Sequence, residues 1–262
     1  MTLKIAIENQ SGDQLAAAEA ADRAILVYRA PYIPGDLIRF TVPEPGYYQV
    51  RADDAVDETL VYLTGTSFTF AVPFEDAAIP YSPKAFQGDL HLLSLRAATA
   101  EEAHAYGNLA LNPLDQHDEP GVFPHAHANA ETRNEPVFFA RNAIDGITAN
   151  ASHGLWPFAT WGNDSRDDAE ITVEFGRPVD LDEIVLVTRA DFPHDNWWTQ
   201  ADLTFSDGST QTVHMEKSDQ PHRFPVNAKA VTWVKLGNLV KADDPSPWAA
   251  LVQIEAYGRT AA

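Results

Sequence analysis

The sequence predicts an all-β protein built from two β-sandwich domains. Short segments in which apolar and polar residues alternate run through most of the 262-residue chain, separated by turn-forming Pro, Gly and Asp. Such alternation turns one face of a strand toward a core. Several short strands at regular spacing are typical of antiparallel sandwiches. The make-up of the chain also changes midway, because all six tryptophans lie beyond residue 150.

The first domain is predicted to cover residues 1–98. Leu3, Ile5 and Ile7 alternate with polar neighbours and predict the first strand. Further strands are predicted at 24–29, 37–42, 47–52, 59–63, 67–72 and 89–96. Turn signals such as Pro34-Gly-Asp36 lie between them. The alanine-rich segment 14–22 is predicted to be a short helix or a loop insert.

A short linker helix is predicted over residues 99–107. Thr99 followed by Glu102 matches a capping box, in which each side chain bonds the other residue's backbone N–H. Gly107 is expected to end the helix. The boundary between the two domains is therefore placed here, and the second domain is predicted to cover 108–262.

The second domain is also predicted to be a sandwich. Its predicted strands are 170–175, 183–187, 201–206, 211–215, 230–236 and 252–257. Asp207-Gly208 accepts the positive φ angles of a tight turn, so the third and fourth of these strands form a hairpin. Residues 112–161 are predicted to be mostly loops.

Composition limits the partners and the compartment. The formal net charge of −20 argues against nucleic acid and anionic membranes, which are polyanions. The chain has no cysteine, no signal-peptide pattern at its N-terminus and no apolar run of about 18 residues, the length that a membrane-spanning helix needs. We expect a cytoplasmic protein, and the sequence leaves open whether it forms a homo-oligomer.

Residues 188–198 are the most chemically dense stretch. The stretch follows the apolar run 184–187, which predicts a strand, and Pro193 prevents regular strand pairing, so a loop at the end of a sheet is expected. Loops held by a rigid sheet often carry binding chemistry. Hydrogen-bonding groups beside indole rings suit a polar ligand with C–H faces, such as a sugar. The candidate ligand-binding residues are Arg189, Asp191, His194, Asn196, Trp197 and Trp198. A plainer interpretation is that the two indoles only close the end of the sandwich, because aromatic residues are more often buried than functional.

Four short motifs occur in order over residues 108–259. They are Asn108-Leu-Ala-Leu111, Asn142-Ala-Ile-Asp-Gly146, the segment 170–179 and Ile254-Glu-Ala-Tyr-Gly258. Together they resemble the discoidin, or coagulation factor 5/8 C-terminal, domain family, which includes the family 32 carbohydrate-binding modules. The resemblance implies a galactose-binding-like jelly roll that binds glycans, lipid head groups or proteins and is non-catalytic. The first half of the chain shows no motif of this family.

The resemblance also implies a structural calcium ion. Asp145 and Glu255 would supply side-chain ligands, and Asn142 and Ile254 would supply carbonyl oxygens. Calcium prefers six to eight oxygen ligands, which such a loop offers. The stretch 147–152 departs from the family's shorter form, so the other ligands are not assigned. The alternative is a plain Asp turn and an exposed strand glutamate.

Sugar sites in this family use a His, an Arg, an Asn and an aromatic platform on loops at one end of the sandwich. By this resemblance His153, Trp156 and Trp161 join the candidate ligand-binding residues. The sequence therefore predicts a lectin-like, non-catalytic protein whose partner is a carbohydrate.

Two other functions remain open. His125 and His127 would share one strand face, and Glu131 and His153 would complete a transition-metal site. Loop carboxylates near this cluster would serve a metal-dependent or carboxylate glycoside hydrolase. The second alternative is a protein-interaction scaffold.

Overall fold

The computed structural model describes residues 2–117, 119 and 121–261, and it confirms the all-β class. Among these residues, no helix is long and apolar enough to cross a membrane. The one α-helix within the described ranges, α1, spans Ala100–His104, and short 3-10 helices span Glu75–Ala78, Thr132–Asn134, Pro136–Phe138 and Ala140–Ile144. The strands are β1 (Leu3–Glu8), β2 (Gln14–Ala20), β3 (Arg23–Tyr28), β4 (Leu37–Thr41), β5 (Gly46–Arg51), β6 (Thr59–Leu63), β7 (Ser67–Ala71), β8 (His91–Ala97), β9 (Gly107–Asn108), β10 (Val122–Phe123), β11 (His125–Ala128), β12 (Trp161–Gly162), β13 (Ile171–Thr188), β14 (Trp198–Phe205), β15 (Thr210–His214), β16 (His222–Lys241) and β17 (Ala250–Thr260).

The first half of the chain folds into two antiparallel sheets around one core. The strand orders are β2-β1-β4-β7 and β10-β6-β5-β8-β3. Both sheets contribute to the core, for example through Ile5 and Phe40 from one and Val61 and Leu93 from the other. The alternation of apolar residues predicted these inward faces correctly.

One prediction in this half was wrong. Residues 14–20 form β2, not a helix or a loop insert, and β2 pairs antiparallel with β1. Ala16, Ala18 and Ala20 pack partly buried against the core. Their period-two spacing is that of a strand with one face inward, and the ladder to β1 supplies the backbone hydrogen bonds.

The predicted capping box is confirmed at α1. The Thr99 hydroxyl accepts a hydrogen bond from the Glu102 backbone N–H, and the Glu102 carboxylate accepts one from the Thr99 N–H. The helix is shorter than predicted, because Gly107 lies in β9, which pairs with β17. After the helix, Leu114 and Val122 join the core of the first half, and β10 pairs with β6. The division at residues 98 and 108 stays a prediction.

The second half is organised by two long strands, β13 and β16. They pair antiparallel with several register shifts, and they lie at the centre of the sheet order β12-β17-β13-β16-β14-β15. Gly176 has a φ of +67° within β13, and a Cβ there would collide with the ring of Phe123. The second core lies beneath these strands and contains Trp161 and Trp198.

Candidate ligand-binding site

The loop from β13 to β14 is fastened to the chain that precedes β17. The Arg189 backbone N–H donates to the carbonyl of Ala250 over 3.0 Å, and the Asn196 N–H donates to the carbonyl of Trp248 over 2.6 Å. These two bonds hold Trp248 beside residues 189–196, although about 50 residues of chain separate them.

A buried ion pair organises this loop. Asp195 is fully buried, and its Oδ1 accepts hydrogen bonds from Nε and Nη2 of Arg189 at 3.0 and 2.9 Å. The same oxygen lies 2.9 Å from Nδ1 of His194, while Oδ2 accepts from the Asp191 backbone N–H. The Asp195 carboxylate therefore fixes both the guanidinium and the imidazole.

One donor of this network is unused. Arg189 is only 3% exposed, and its Nη1 has no hydrogen-bond partner. A buried donor without a partner costs about 1–3 kcal/mol, and more when it is charged. Arg189 also lines a cavity, so an oxygen acceptor bound there would lie close to its guanidinium.

Two imidazoles lie at the same cavity. His153 stacks on His194, with ring centroids 4.2 Å apart and an interplanar angle of 29°. Burial lowers the pKa of His153, and the charges of Arg189 and His194 act in the same direction. His153 is therefore neutral near pH 7 and offers one donor and one acceptor nitrogen.

The cavity measures about 190 Å³ and opens to solvent. Trp248, with 43% of its surface exposed, forms part of its wall. The other lining residues are Thr132, Arg133, Phe138, Gly162, Asn163, Ala249 and Ala250. The site thus combines hydrogen-bonding groups with an indole face, a pattern typical of small-ligand pockets.

The structure brings three of the predicted residues together at this cavity, namely Arg189, His194 and His153. Asn196 lies behind them, because its buried amide donates to the carbonyls of Ala242 and Ser246 and so orders the loop. Asp191 contributes its backbone N–H to Asp195.

The four predicted tryptophans lie elsewhere. Trp161 and Trp198 are both fully buried in the second core, with ring centroids 6.1 Å apart, so neither offers a face to a ligand. Trp197 is partly buried and packs edge-on against Phe192. Trp156 is 40% exposed but lines a different cavity, together with Asp145. Trp248 is the indole that lines the cavity beside Arg189.

Trp248 was missed by the sequence argument. Nothing local in the sequence connects its segment with residues 189–196. The one available signal was a large aromatic residue directly after the turn-forming stretch 243–247. Its position depends on the long-range hydrogen bonds that sequence patterns do not reveal.

The predicted calcium ligands do not form a cation cage. Gln253 Nε2 donates to the Asn142 carbonyl at 2.9 Å and to Asp145 Oδ1 at 2.7 Å, so an amide N–H₂ faces the oxygens that would bind the ion. Glu255 interacts with Tyr257 instead, and the side chain of Ile254 lies in the core. As arranged, these residues do not fit calcium, because a donor group cannot ligate a cation.

Asp145 has an unusual titration for a carboxylate. Burial raises its pKa to about 7, although the charge of Arg141 acts in the opposite direction. The folded state therefore binds a proton more tightly than the unfolded chain, whose aspartate pKa is about 3.9. The stabilisation that the protonated Asp145 carboxyl contributes to the folded state is fully present below about pH 4 and is lost as the pH rises toward 7.

We expect Asp145→Asn to remove this pH dependence. The asparagine keeps the oxygen that accepts from Ile147 and Gln253, and it carries no charge at any pH. The free energy of unfolding of the variant relative to the wild type should rise by up to about 4 kcal/mol between pH 4 and pH 8. Urea titrations across this range measure the difference. A constant difference would contradict the raised pKa.

The predicted histidine cluster does not form one metal site. His125 pairs with Asp115 at 2.7 Å, and His127 pairs with Glu174 at 3.2 Å. Glu131 contacts His117, while His153 lies at the cavity beside Arg189. His125 and His127 thus each have their own carboxylate, and the set His125, His127, Glu131 and His153 does not converge.

Comparisons with known proteins give a fold likeness only. No family model matches the sequence, and no curated protein matches it at a significant level. Among solved structures, chitosan-binding module 1 from a chitosanase/glucanase of Paenibacillus sp. IK-5 is 20% identical, with a TM-score of 0.41, over 58% of this chain and 99% of the module. A fucose-binding module of Streptococcus pneumoniae is 14% identical, with a TM-score of 0.39, over 59% and 99%. The lectin domain of lectinolysin, complexed with Lewis B antigen, is 15% identical, with a TM-score of 0.42, over 59% and 98%. At this level of similarity, what this chain binds rests on its own site.

Proposed function

We propose that this protein binds a carbohydrate in the cavity formed by Arg189, His153, His194 and Trp248. The observation that carries the proposal is the unpartnered Nη1 of the buried Arg189, which lines the cavity beside an exposed indole. A sugar ring has hydroxyl oxygens for the guanidinium and C–H faces for the indole. A purely apolar ligand would leave the guanidinium unsatisfied.

Each group has a distinct part in the proposed recognition. Trp248 stacks on one face of the ring, which contributes on the order of 1 kcal/mol beyond area burial. Arg189 donates to a ring hydroxyl, and charge-assisted bonds of this kind are stronger than neutral ones. The neutral His153 donates to or accepts from a neighbouring hydroxyl, so the pocket distinguishes sugars by the orientation of their hydroxyl groups.

Binding is favoured over hydrolysis by the cavity wall. Among the described residues, those that line the cavity include no carboxylate. Most glycoside hydrolases need two carboxyl groups that flank the scissile bond. We therefore propose a non-catalytic role for this site.

Trp248→Ala should weaken sugar binding about tenfold or more while the protein stays folded, because 1.4 kcal/mol corresponds to a factor of ten. Calorimetric titration with a panel of neutral hexoses, 6-deoxyhexoses and N-acetylhexosamines measures the affinity. Trp156→Ala is the matched control, since this indole is equally exposed but lines the other cavity.

The control should bind like the wild type. Equal losses in both variants would assign the effect to general destabilisation and not to Trp248. If no sugar of the panel binds the wild-type protein, the proposed function is wrong.

A further inference from the structure

A second polar cluster lies in the first half of the chain, at one end of its sheets. Asp53 and Asp54 follow β5, and His91 begins β8 beside it. The possible ligand atoms of these three residues, one from each, lie within 4.8 Å of one another. Among the described residues, this is the only such group of three.

Asp53 and His91 are as buried as core residues. Each is 1% exposed, and Nδ1 of His91 lies 3.1 Å from Oδ2 of Asp53. Asp53 Oδ1 also accepts from the backbone N–H of Ala55, which fixes the carboxylate. Asp54 is exposed and connects the cluster with solvent.

Three buried polar atoms near this cluster have no hydrogen-bond partner. They are Nε2 of His91, the hydroxyl of Tyr32 and Oδ1 of Asp36. The rings of Tyr32 and His91 lie 4.2 Å apart, so two of these atoms belong to residues in direct contact. Each atom carries a lone pair, and burying such groups unsatisfied is costly. Unsatisfied polar atoms therefore border the Asp53–His91 pair.

The local charge is negative. Besides the carboxylates of Asp53 and Asp54, that of Asp36 accepts a hydrogen bond from the Ile33 backbone N–H next to Tyr32. In the part of the chain that the structure describes, no lysine or arginine pairs with any of these three carboxylates. A divalent cation would supply the missing positive charge.

We propose that Asp53, Asp54 and His91 form a binding site for a divalent transition-metal ion of the zinc class. An imidazole with two carboxylates favours zinc over calcium and magnesium, which prefer oxygen alone. Ligand atoms around tetrahedral zinc lie about 3.4 Å apart, given bond lengths of about 2.0–2.2 Å. Nδ1 of His91 and Oδ2 of Asp53 are 3.1 Å apart, already close to this value, and an oxygen of the exposed Asp54 lies within 4.8 Å of the other ligand atoms. The ion joins the segment after β5 to the start of β8.

The test uses the full chain, stripped of metal with EDTA and titrated with zinc chloride against a chromogenic chelator. The wild type should bind one equivalent of zinc, and the midpoint of its thermal unfolding should rise when zinc is added. Asp54→Asn should lower the zinc affinity at least tenfold. Because Asp54 is exposed, this variant should fold.

Two controls separate this site from other carboxylates and histidines. Asp57→Asn changes an exposed aspartate of the same segment that is outside the cluster, and His127→Ala removes an exposed histidine elsewhere. Both should bind zinc like the wild type. The proposal is overturned if the wild type binds no zinc or less than one equivalent, or if Asp54→Asn binds zinc as tightly as the wild type. It is also overturned if either control variant loses zinc binding, or if calcium displaces zinc at equal concentration. None of these outcomes depends on whether the cavity beside Arg189 binds a sugar.

Discussion

Gln253→Glu is expected to destabilise the protein by about 3–5 kcal/mol in EDTA, the usual cost of an uncompensated buried charge, and calcium should reverse much of this loss. In the wild type, Nε2 of Gln253 donates to the Asn142 carbonyl and to Oδ1 of Asp145. The substitution replaces this donor by a second carboxylate, next to one whose pKa burial already raises to about 7. Above about pH 7, where Asp145 is ionised, two carboxylates then face each other without a proton between them.

Calcium would bind where the amide now lies. The variant offers two carboxylates and the Asn142 carbonyl, which is the ligand chemistry that calcium prefers. An ion that binds only the folded state stabilises it by about 2.7 kcal/mol at a concentration of 100 times its Kd. In the wild type the neutral amide joins the same oxygens without a metal.

Chemical unfolding in EDTA and in millimolar calcium measures both effects. Gln253→Met is the control, because it removes the same hydrogen bonds and adds no charge. It should be destabilised without a calcium response beyond that of the wild type. The idea that the Gln253 amide occupies the place of a cation is wrong if Gln253→Glu is as stable as the wild type in EDTA. It is also wrong if calcium raises the free energy of unfolding of Gln253→Glu and of the wild type equally.

The strands were predictable where alternation and turn chemistry agree. The predicted strand 59–63 coincides with β6, and its apolar residues at alternate positions point into the core. The capping box at Thr99 is a local pattern, and it formed as predicted. By contrast, β2 was missed because alanine has a weak preference for strands, and only the pairing with β1 makes the segment extended.

The candidate site could be predicted only in its local part. The density of polar groups after a strand indicated the loop that carries Arg189 and His194. Which indole is exposed depends on contacts between distant segments, such as the packing of Trp198 on Trp161 and the bond from Asn196 to Trp248. The carboxylate that fixes Arg189, Asp195, was not among the predicted residues, because its role follows from burial and not from its type.

Asp195→Ala is expected to lower the free energy of unfolding by about 3–5 kcal/mol and to abolish sugar binding. The variant leaves the guanidinium of Arg189 buried without a counter-charge, and the cost of such a group is large. It also frees His194 from the oxygen that holds its Nδ1. Asp195 is thus a positioning residue, whereas Arg189 is expected to touch the ligand.

The double variant Asp195→Ala/Arg189→Met separates these two roles. Removing the guanidinium as well eliminates the unpaired charge, so the double variant should regain a large part of the stability lost by Asp195→Ala. It should not regain sugar binding, because the guanidinium that lines the cavity is gone. Urea unfolding and calorimetric titration of the wild type, both single variants and the double variant give a complete cycle. A double variant that binds sugar like the wild type would show that Arg189 takes no part in recognition, whereas strictly additive stability losses would show that Asp195 and Arg189 are not coupled in the folded protein.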